Sequence, residues 1–338
     1  MSTAKAKVPV TIDAAKTERA SDVIVANDVI VAVDIASDKF DYVSTEQRGC
    51  KQMANSEKGI QDFLILIAPW KPAMVVLEAT GGYEAALVRA LHQHHIPVAL
   101  VNPGRVRHFA MSLGVFAKTD AKDAEVLLQY GRTMRPMLTA APEPEVENVA
   151  DLRQRAQQLQ DMLTSEKNRL RLSPALTRES VQSHIDWLQQ ELDTLEKRLQ
   201  KAIHSSDTLR PLAQLLCTIP GVGPVISATL IGSLPELGSL SHKKIAALAG
   251  LAPFAHDSGK FKGKRFIRGG RSNVRAALYM GVLTTIRFST VFREYYDRLL
   301  KAGKVKKLAL IACARKLLVT LNAMVKSNQK WKTSTISA

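Results

Sequence analysis

Apolar and polar positions divide the chain into three stretches of different period. Between residues 29 and 132, short apolar runs rich in β-branched residues alternate with segments of helical period. Val29–Ala36 (VIVAVDIA) reads as a buried strand, and Phe40–Ser44 and Gly49–Ala54 are short segments able to pair with it as a meander. Ser56 caps a helix through about Ala68, with Glu57 in its first turn. Ala73–Glu78 (AMVVLE) is a second buried strand, broken by Gly81 and Gly82, and a helix follows over Tyr83–His95. Pro97–Val101 is a third such strand, stopped by Asn102-Pro103, and the last helix runs from about Thr119 to Arg132.

The pattern changes after Pro142 and Pro144. Val149, Leu152, Ala156, Leu159 and Leu163 recur by three and four. After a break at Ser173-Pro174 the spacing resumes with Val181, Ile185, Leu188, Leu192, Leu195 and Leu199. These are heptad seams on two helices, which either fold back as a hairpin or recruit another chain; dimerisation is the favoured expectation. From Pro211 onward the chain reads as mostly helical. Leu212–Ile231 is a helix, a Pro-Gly-Val-Gly turn and a second helix, a helix-hairpin-helix pattern. The expected organisation is a tail over 1–27, an α/β domain over 28–141, a coiled-coil arm over 142–204 and a mainly α domain over 205–338. A three-strand meander followed by βα units is the order of a ribonuclease H-like domain.

Charge separates the two halves. The chain has 338 residues and a formal net charge of +16. From Ser205 onward there are 22 Lys and Arg against 5 Asp and Glu, so the whole excess lies in the last 134 residues. A positive field of that size points to a polyanion, most often nucleic acid. No run of about 18 apolar residues suggests a membrane span, and the N-terminal segment lacks the apolar core of a secretory signal. Cys50, Cys217 and Cys313 are odd in number and far apart, which fits idle reduced thiols in a cytoplasm rather than a disulfide framework.

Acidic residues in the front half carry the candidate chemistry. Asp34 sits inside an apolar strand, where a carboxylate is costly unless compensated. Glu78 ends the second buried strand, and Asp120 and Asp123 share a face at a helix start. In a ribonuclease H-like sheet these groups converge, and converging carboxylates call for divalent cations, Mg2+ or Mn2+. The bland alternative is that Asp120 and Asp123 favour a helix N-terminus and Glu78 caps a loop.

In the rear half, residues 257–275 (DSGKFKGKRFIRGGRSNVR) hold Lys260, Lys262, Lys264, Arg265, Arg268, Arg271 and Arg275 among glycines, a pattern suited to following phosphates. Gly221 and Gly223 would open backbone N–H groups to a phosphate, or else form a tight turn in a packed bundle. Ser258 is a loop serine that neighbouring cations could activate as a nucleophile. His92, His94 and His95 have poor ligand spacing. Tyr295-Tyr296 suggests a tyrosine recombinase without the basic constellation one needs. The run Lys301–Lys307 reads as a solvated or phosphate-facing loop.

Taken together, Asp34 in VAVDIASDKFD, Glu78 in LEATGGY, Asn102-Pro103 in VNPGRVRHFA and Asp120/Asp123 in KTDAKDA resemble the DEDD insertion-sequence transposases. That is the IS-one-ten family with its IS-eleven-eleven branch, related to the pilin-gene invertase. IPGVGPVISA, LAGLAPF, DSG and RGGRSNVRAALYM resemble the family's C-terminal domain, and the likeness spans roughly residues 28–325. The resemblance implies a RuvC-like domain with Asp34, Glu78, Asp120 and Asp123 as metal ligands and a dimerising coiled coil. It implies Ser258 as the nucleophile that forms a covalent phosphoserine intermediate. Serine and acidic site would come from different protomers of a dimer or tetramer. A structured non-coding bridge RNA would pair with donor and target DNA. Arg105 and Arg107, in VNPGRVRHFA, join the residues expected to touch nucleic acid. Asp257 stands before the serine where some members carry Glu.

The expected function is therefore an RNA-guided DNA recombinase of an insertion sequence, cytoplasmic and nucleoid-associated in a bacterium. A site-specific invertase of the same family is the near alternative. A hydrolytic RuvC-like nuclease would need the four carboxylates but not Ser258, and a non-enzymatic helix-hairpin-helix DNA-binding protein would need neither.

Overall fold

The computed structural model describes residues 28–115, 120–254, 257–259, 261–263 and 265–332; for Asp120, Ala121, Asp257, Ser258, Phe261 and Lys262 it describes the backbone alone. The expected tail over 1–27 lies outside the described residues. The chain forms two compact units that divide between Ala141 and Pro142.

The first unit is a five-stranded mixed sheet. Its strands are β1 (Ile30–Ile35), β2 (Lys39–Ser44), β3 (Lys51–Ala54), β4 (Met74–Glu78) and β5 (Val98–Val101), in the order β3-β2-β1-β4-β5. β2 runs antiparallel to β1 and β3, whereas β1, β4 and β5 run parallel. The parallel strands are apolar on both faces because helices cover both, the usual consequence of βα crossovers. On one face Val31, Val33, Ile35, Val75 and Leu77 pack under α1 (Glu57–Ile67) and α2 (Ala85–Gln93). On the other, Ile30, Ala32, Met74 and Val76 pack under α3 (Pro103–Ser112) and α4 (Asp120–Met134), through Val106, Ala124, Leu127 and Tyr130. The Ser56 side chain caps α1 by accepting from the Gly59 N–H at 3.2 Å.

Helix α3 departs from the sequence expectation, in which Asn102-Pro103 ended the regular structure. Here Asn102 is the N-cap, accepting from the Gly104 N–H at 2.9 Å, and Pro103 begins the helix. Proline suits that place because its missing N–H would be unpaired in any case.

The second unit opens with α5 (Pro144–Leu172) and α6 (Ala175–Ser205), joined only by Ser173-Pro174 and so antiparallel. The two seams meet each other: Ala156, Leu159 and Leu163 bury against Ile185, Leu188, Leu192 and Leu195. The seams expected to draw in a second chain are thus covered within one chain as a hairpin. One seam position is polar. Glu166, 8% exposed, receives Arg169 of its own helix at 2.5 Å and faces His184 of α6 at 3.5 Å.

At its base the hairpin joins a larger core with α7 (Leu209–Leu216), α8 (Pro224–Ser233), α9 (His242–Leu248), α10 (Ser272–Phe288), α11 (Thr290–Lys301) and α12 (Lys306–Ser327). α5 crosses α8 so closely that a Cβ on Gly232 would lie 2.8 Å from the Ala150 Cα. α12 is long and apolar enough by composition to cross a membrane. Its apolar side is used in this core, where Ala309, Cys313, Ala314, Leu317, Leu318 and Leu321 are fully buried. Between α9 and α10 lie two small ribbons, β6 (Pro253–Phe254) with β9 (Phe266–Ile267) and β7 (Asp257–Ser258) with β8 (Phe261–Lys262).

Candidate active site

Strand register sets the acidic positions. Val33 of β1 lies beside Leu77 of β4 in a parallel pair, so the next step along each strand sets Asp34 beside Glu78. Alternation puts both on the face that carries Ile30, Ala32, Met74 and Val76, the face covered by α4. They stand at the carboxyl ends of adjacent parallel strands, where open α/β sheets hold their ligands. Both are half-buried.

Helix α4 brings its start to the same end. Gly131, near its C-terminus, rests on the strand starts: a Cβ there would lie 2.8 Å from Val76 Cγ2, 3.4 Å from Ile30 Cγ2 and 3.5 Å from Met74 Cε. The helix therefore runs back across the sheet. From Gly131 to Asp123 it covers about 12 Å, and β1 covers about 13 Å from Ile30 to Asp34. Asp123, half-buried and next to the fully buried Ala124, thus reaches the level of Asp34. Asp120 is the first residue of α4.

One carboxylate was not singled out from the sequence. Asp41 of β2 is the antiparallel partner of Asp34, on the same face and 9% exposed. Like charges directly opposite on neighbouring strands repel. The Asp41 carboxylate is compensated by Gln52, which donates to Oδ1 at 3.0 Å, and by Lys39 at 3.6 Å. Its signal in the sequence is the alternation Phe40-Asp41-Tyr42-Val43, which places a lone acid on a buried face. Next to it, burial pushes the Tyr42 phenol above its ordinary pKa, and Cys50 adds to the shift.

The rear-half candidates separate by role. The Arg271 guanidinium forms a two-pronged ion pair with Glu236, at 2.5 and 2.7 Å, so its charge is matched within the protein. Arg275 donates to the Gly269 carbonyl at 2.7 Å and ties down the glycine-rich loop. Arg265 and Arg268 are exposed, as are Arg105 and Arg107 on α3. Lys260 and Lys264 lie outside the described residues, and of Lys262 and Ser258 only the strand backbone is described. Ser258 pairs with Phe261 across the β7–β8 ribbon.

Gly221 has φ +95, and a Cβ there would meet Thr285 Oγ1 at 2.5 Å and the Gly281 carbonyl at 2.7 Å. Close approach to α10 explains that glycine. Gly223, with nothing within 4 Å of a built Cβ, is open. Tyr295 packs against the core and takes Lys316 and Arg298 over its ring, at 4.4 and 5.3 Å from its centre. Burial, with Arg298 nearby, lowers the Lys316 pKa. His92 and His94 bond the Thr139 and Ala90 carbonyls.

The donor set suits a hard divalent cation: oxygen ligands only, on rigid neighbouring strands and a helix start. Among the described residues, no three His, Cys, Asp or Glu side chains stand close enough to hold one ion together. The Asp120 side chain is outside that set.

Comparison with known proteins finds relatives along most of the chain. A family model for DEDD transposases of the IS110 type matches residues 31–174, and the model described as Transposase IS116/IS110/IS902 family matches residues 213–297. The chain is 28% identical over 310 residues to the pilin gene-inverting protein of Moraxella bovis, covering 88% of this chain and 96% of that protein. It is 33% identical over 132 residues to an uncharacterized 42 kDa protein of insertion element IS900 of Mycobacterium paratuberculosis, covering 37% of this chain and 32% of that protein. A 43.6 kDa protein of IS110 from Streptomyces coelicolor is 30% identical over 134 residues, 38% of this chain and 33% of that one. Two family models in order along one chain, the first reaching through α5 and the second beginning in α7, make the assignment: the chain belongs to the IS110 family of DEDD transposases.

Proposed function

We propose that this transposase is an RNA-guided DNA recombinase that cuts and rejoins strands through a covalent serine–phosphate link. Support comes chiefly from the register that sets Asp34 beside Glu78 on the face under α4. In this reading Asp34, Glu78, Asp120 and Asp123 of a RuvC-like domain hold Mg2+ or Mn2+. The ions supply neutralisation of the negative charge that builds on the scissile phosphate. The Ser258 hydroxyl loses its proton and its Oγ forms a bond to phosphorus. The bond to the leaving deoxyribose oxygen breaks, and that oxygen takes up a proton. The link conserves the phosphoester until another strand end displaces the serine. Arg268, Lys260, Lys262, Lys264, Arg265, Arg105, Arg107 and the open turn at Gly223 bind phosphates and orient the strands. A bridge RNA reads sequence by pairing with donor and target DNA. The working particle is a homo-oligomer, a dimer or tetramer, in the bacterial cytoplasm at the nucleoid.

The test is strand cleavage by the full chain with Mg2+ and the RNA that co-purifies with it. Wild type should be trapped on DNA as a protease-sensitive adduct, and Ser258→Ala and Asp34→Ala should both be silent. Cleavage surviving in Ser258→Ala would leave a hydrolytic nuclease. Site-specific inversion is a second reading, favoured by the near full-length match to the Moraxella bovis protein. It predicts recombination between two inverted sites on one molecule.

A further inference from the structure

The loop leaving β4 just after Glu78 runs through Thr80, Gly81, Gly82 and Tyr83. Gly81 and Gly82 have φ of +80 and +113, and a Cβ on either would meet nothing within 4 Å. Tyr83 is 54% exposed. Two successive glycines in open space make the most pliable kind of backbone, and this loop covers no core. It is nevertheless fastened by two side chains. Glu84, 9% exposed, accepts at one oxygen from the Thr80 N–H (3.2 Å), the Thr80 hydroxyl (3.3 Å) and the Gly82 N–H (2.9 Å). The Asn55 Nδ2 donates to the Tyr83 carbonyl at 3.2 Å and to the Ala36 carbonyl at 2.9 Å. Asn55 is itself fixed by its backbone N–H, which donates to the Asp38 carbonyl at 2.9 Å.

The geometry of these bonds has one common effect. Ala36 follows Asp34 by two residues, and Tyr83 lies in the loop that follows Glu78. A single amide therefore joins the chain just past one candidate ligand to the chain just past the other, while Glu84 stiffens the segment between. Packing does not require this rigidity. We propose that Asn55 and Glu84 are positioning residues, holding the β1 and β4 ends so that the Asp34 and Glu78 carboxylates can grip one divalent ion. This rests on the reading of those carboxylates as ion ligands.

The experiment titrates the full chain with Mn2+, following free Mn2+ by electron paramagnetic resonance, for wild type, Asn55→Ala, Glu84→Ala, Glu84→Gln and Asp34→Asn. Supporting partners of metal ligands contribute about 10- to 100-fold in affinity. Asn55→Ala and Glu84→Ala should each bind Mn2+ at least about 10-fold more weakly. Glu84→Gln, which keeps an acceptor oxygen, should recover most of the loss. DNA binding without divalent ions should not change, and in cleavage kcat should fall with KM unchanged. Mn2+ affinity within about twofold of wild type in both alanine variants, with binding lost in Asp34→Asn, would overturn the positioning role alone. Binding unchanged in Asp34→Asn would overturn the carboxylate reading and this one with it. Should Asn55→Ala fail to fold, the Glu84 pair decides the matter.

Discussion

Gly131→Ala tests whether α4 is seated as described, because the site depends on how closely that helix approaches the sheet. A methyl group at this position would lie 2.8 Å from Val76 Cγ2. Ordinary carbon contacts lie at about 3.5–4.0 Å, so the helix must lift by about an ångström or Val76 must turn. Val76 is β-branched, fully buried and in a central strand, so it has little freedom to turn. Overpacking of this kind costs about 1–3 kcal/mol. Replacing glycine inside a helix returns about 0.5–1 kcal/mol. The net loss should be about 1 kcal/mol, or about a fivefold drop in amide protection of the β1 and β4 peptides in hydrogen exchange. That readout isolates the first unit, which a melt of the whole chain would not. Cleavage should fall further, by about 10-fold or more, since lifting α4 moves Asp120 and Asp123 away from the strand ends. Val76→Ala removes the clashing methyl, so the double variant should be no less protected than Val76→Ala alone. Greater protection in Gly131→Ala than in wild type, with cleavage intact, would refute the placement of α4 and the level assigned to Asp123.

Two further outcomes follow from side-chain environments. Arg268→Ala should leave stability unchanged and reduce the slope of log affinity for duplex DNA against log salt by about 0.9, one phosphate contact. Arg271→Ala should leave that slope unchanged and destabilise the second unit by at most about 1 kcal/mol, because Glu236 is one-third exposed and water takes over much of the lost pairing; a slope lowered as in Arg268→Ala, with no loss of stability, would contradict its pairing. Burial raises the Cys313 thiol to about 11, against a partial opposite effect of Lys316. The folded state thus favours the neutral thiol. Its contribution is complete below pH 9 and is lost as pH rises towards 11, by at most about 3 kcal/mol. In urea titrations Cys313→Ala should show a shallower alkaline decline than wild type, and parallel curves would remove the thiol as its cause.

Much of the first unit was legible because strand and helix periods differ sharply there. The apolar run that holds Asp34 and the one that ends at Glu78 fixed both strands and the acids late in them, and the meander implied the neighbours. α3 was hidden because Asn-Pro is read as a stop, whereas an Asn N-cap followed by Pro is equally a start; only the chain beyond decides. Asp41 was hidden because pairing, not spacing, sets it opposite Asp34. The seams over 149–199 were visible, but heptad spacing carries no information on whether the partner helix is in the same chain. Arg271 and Arg268 look alike in sequence, and Glu236, 35 positions away, separates them.

The polar position in the hairpin has a bearing on its dimensions. Ser173-Pro174 joins α5 to α6 in two residues and leaves no slack for a slip of one heptad, which would also set Glu166 beside Thr177 or Glu191 in place of His184. The arm therefore has one register and acts as a ruler of fixed span, about 43 Å along α5. Inserting seven residues in each helix, away from Glu166, would lengthen that ruler by about 10 Å without disturbing its seam.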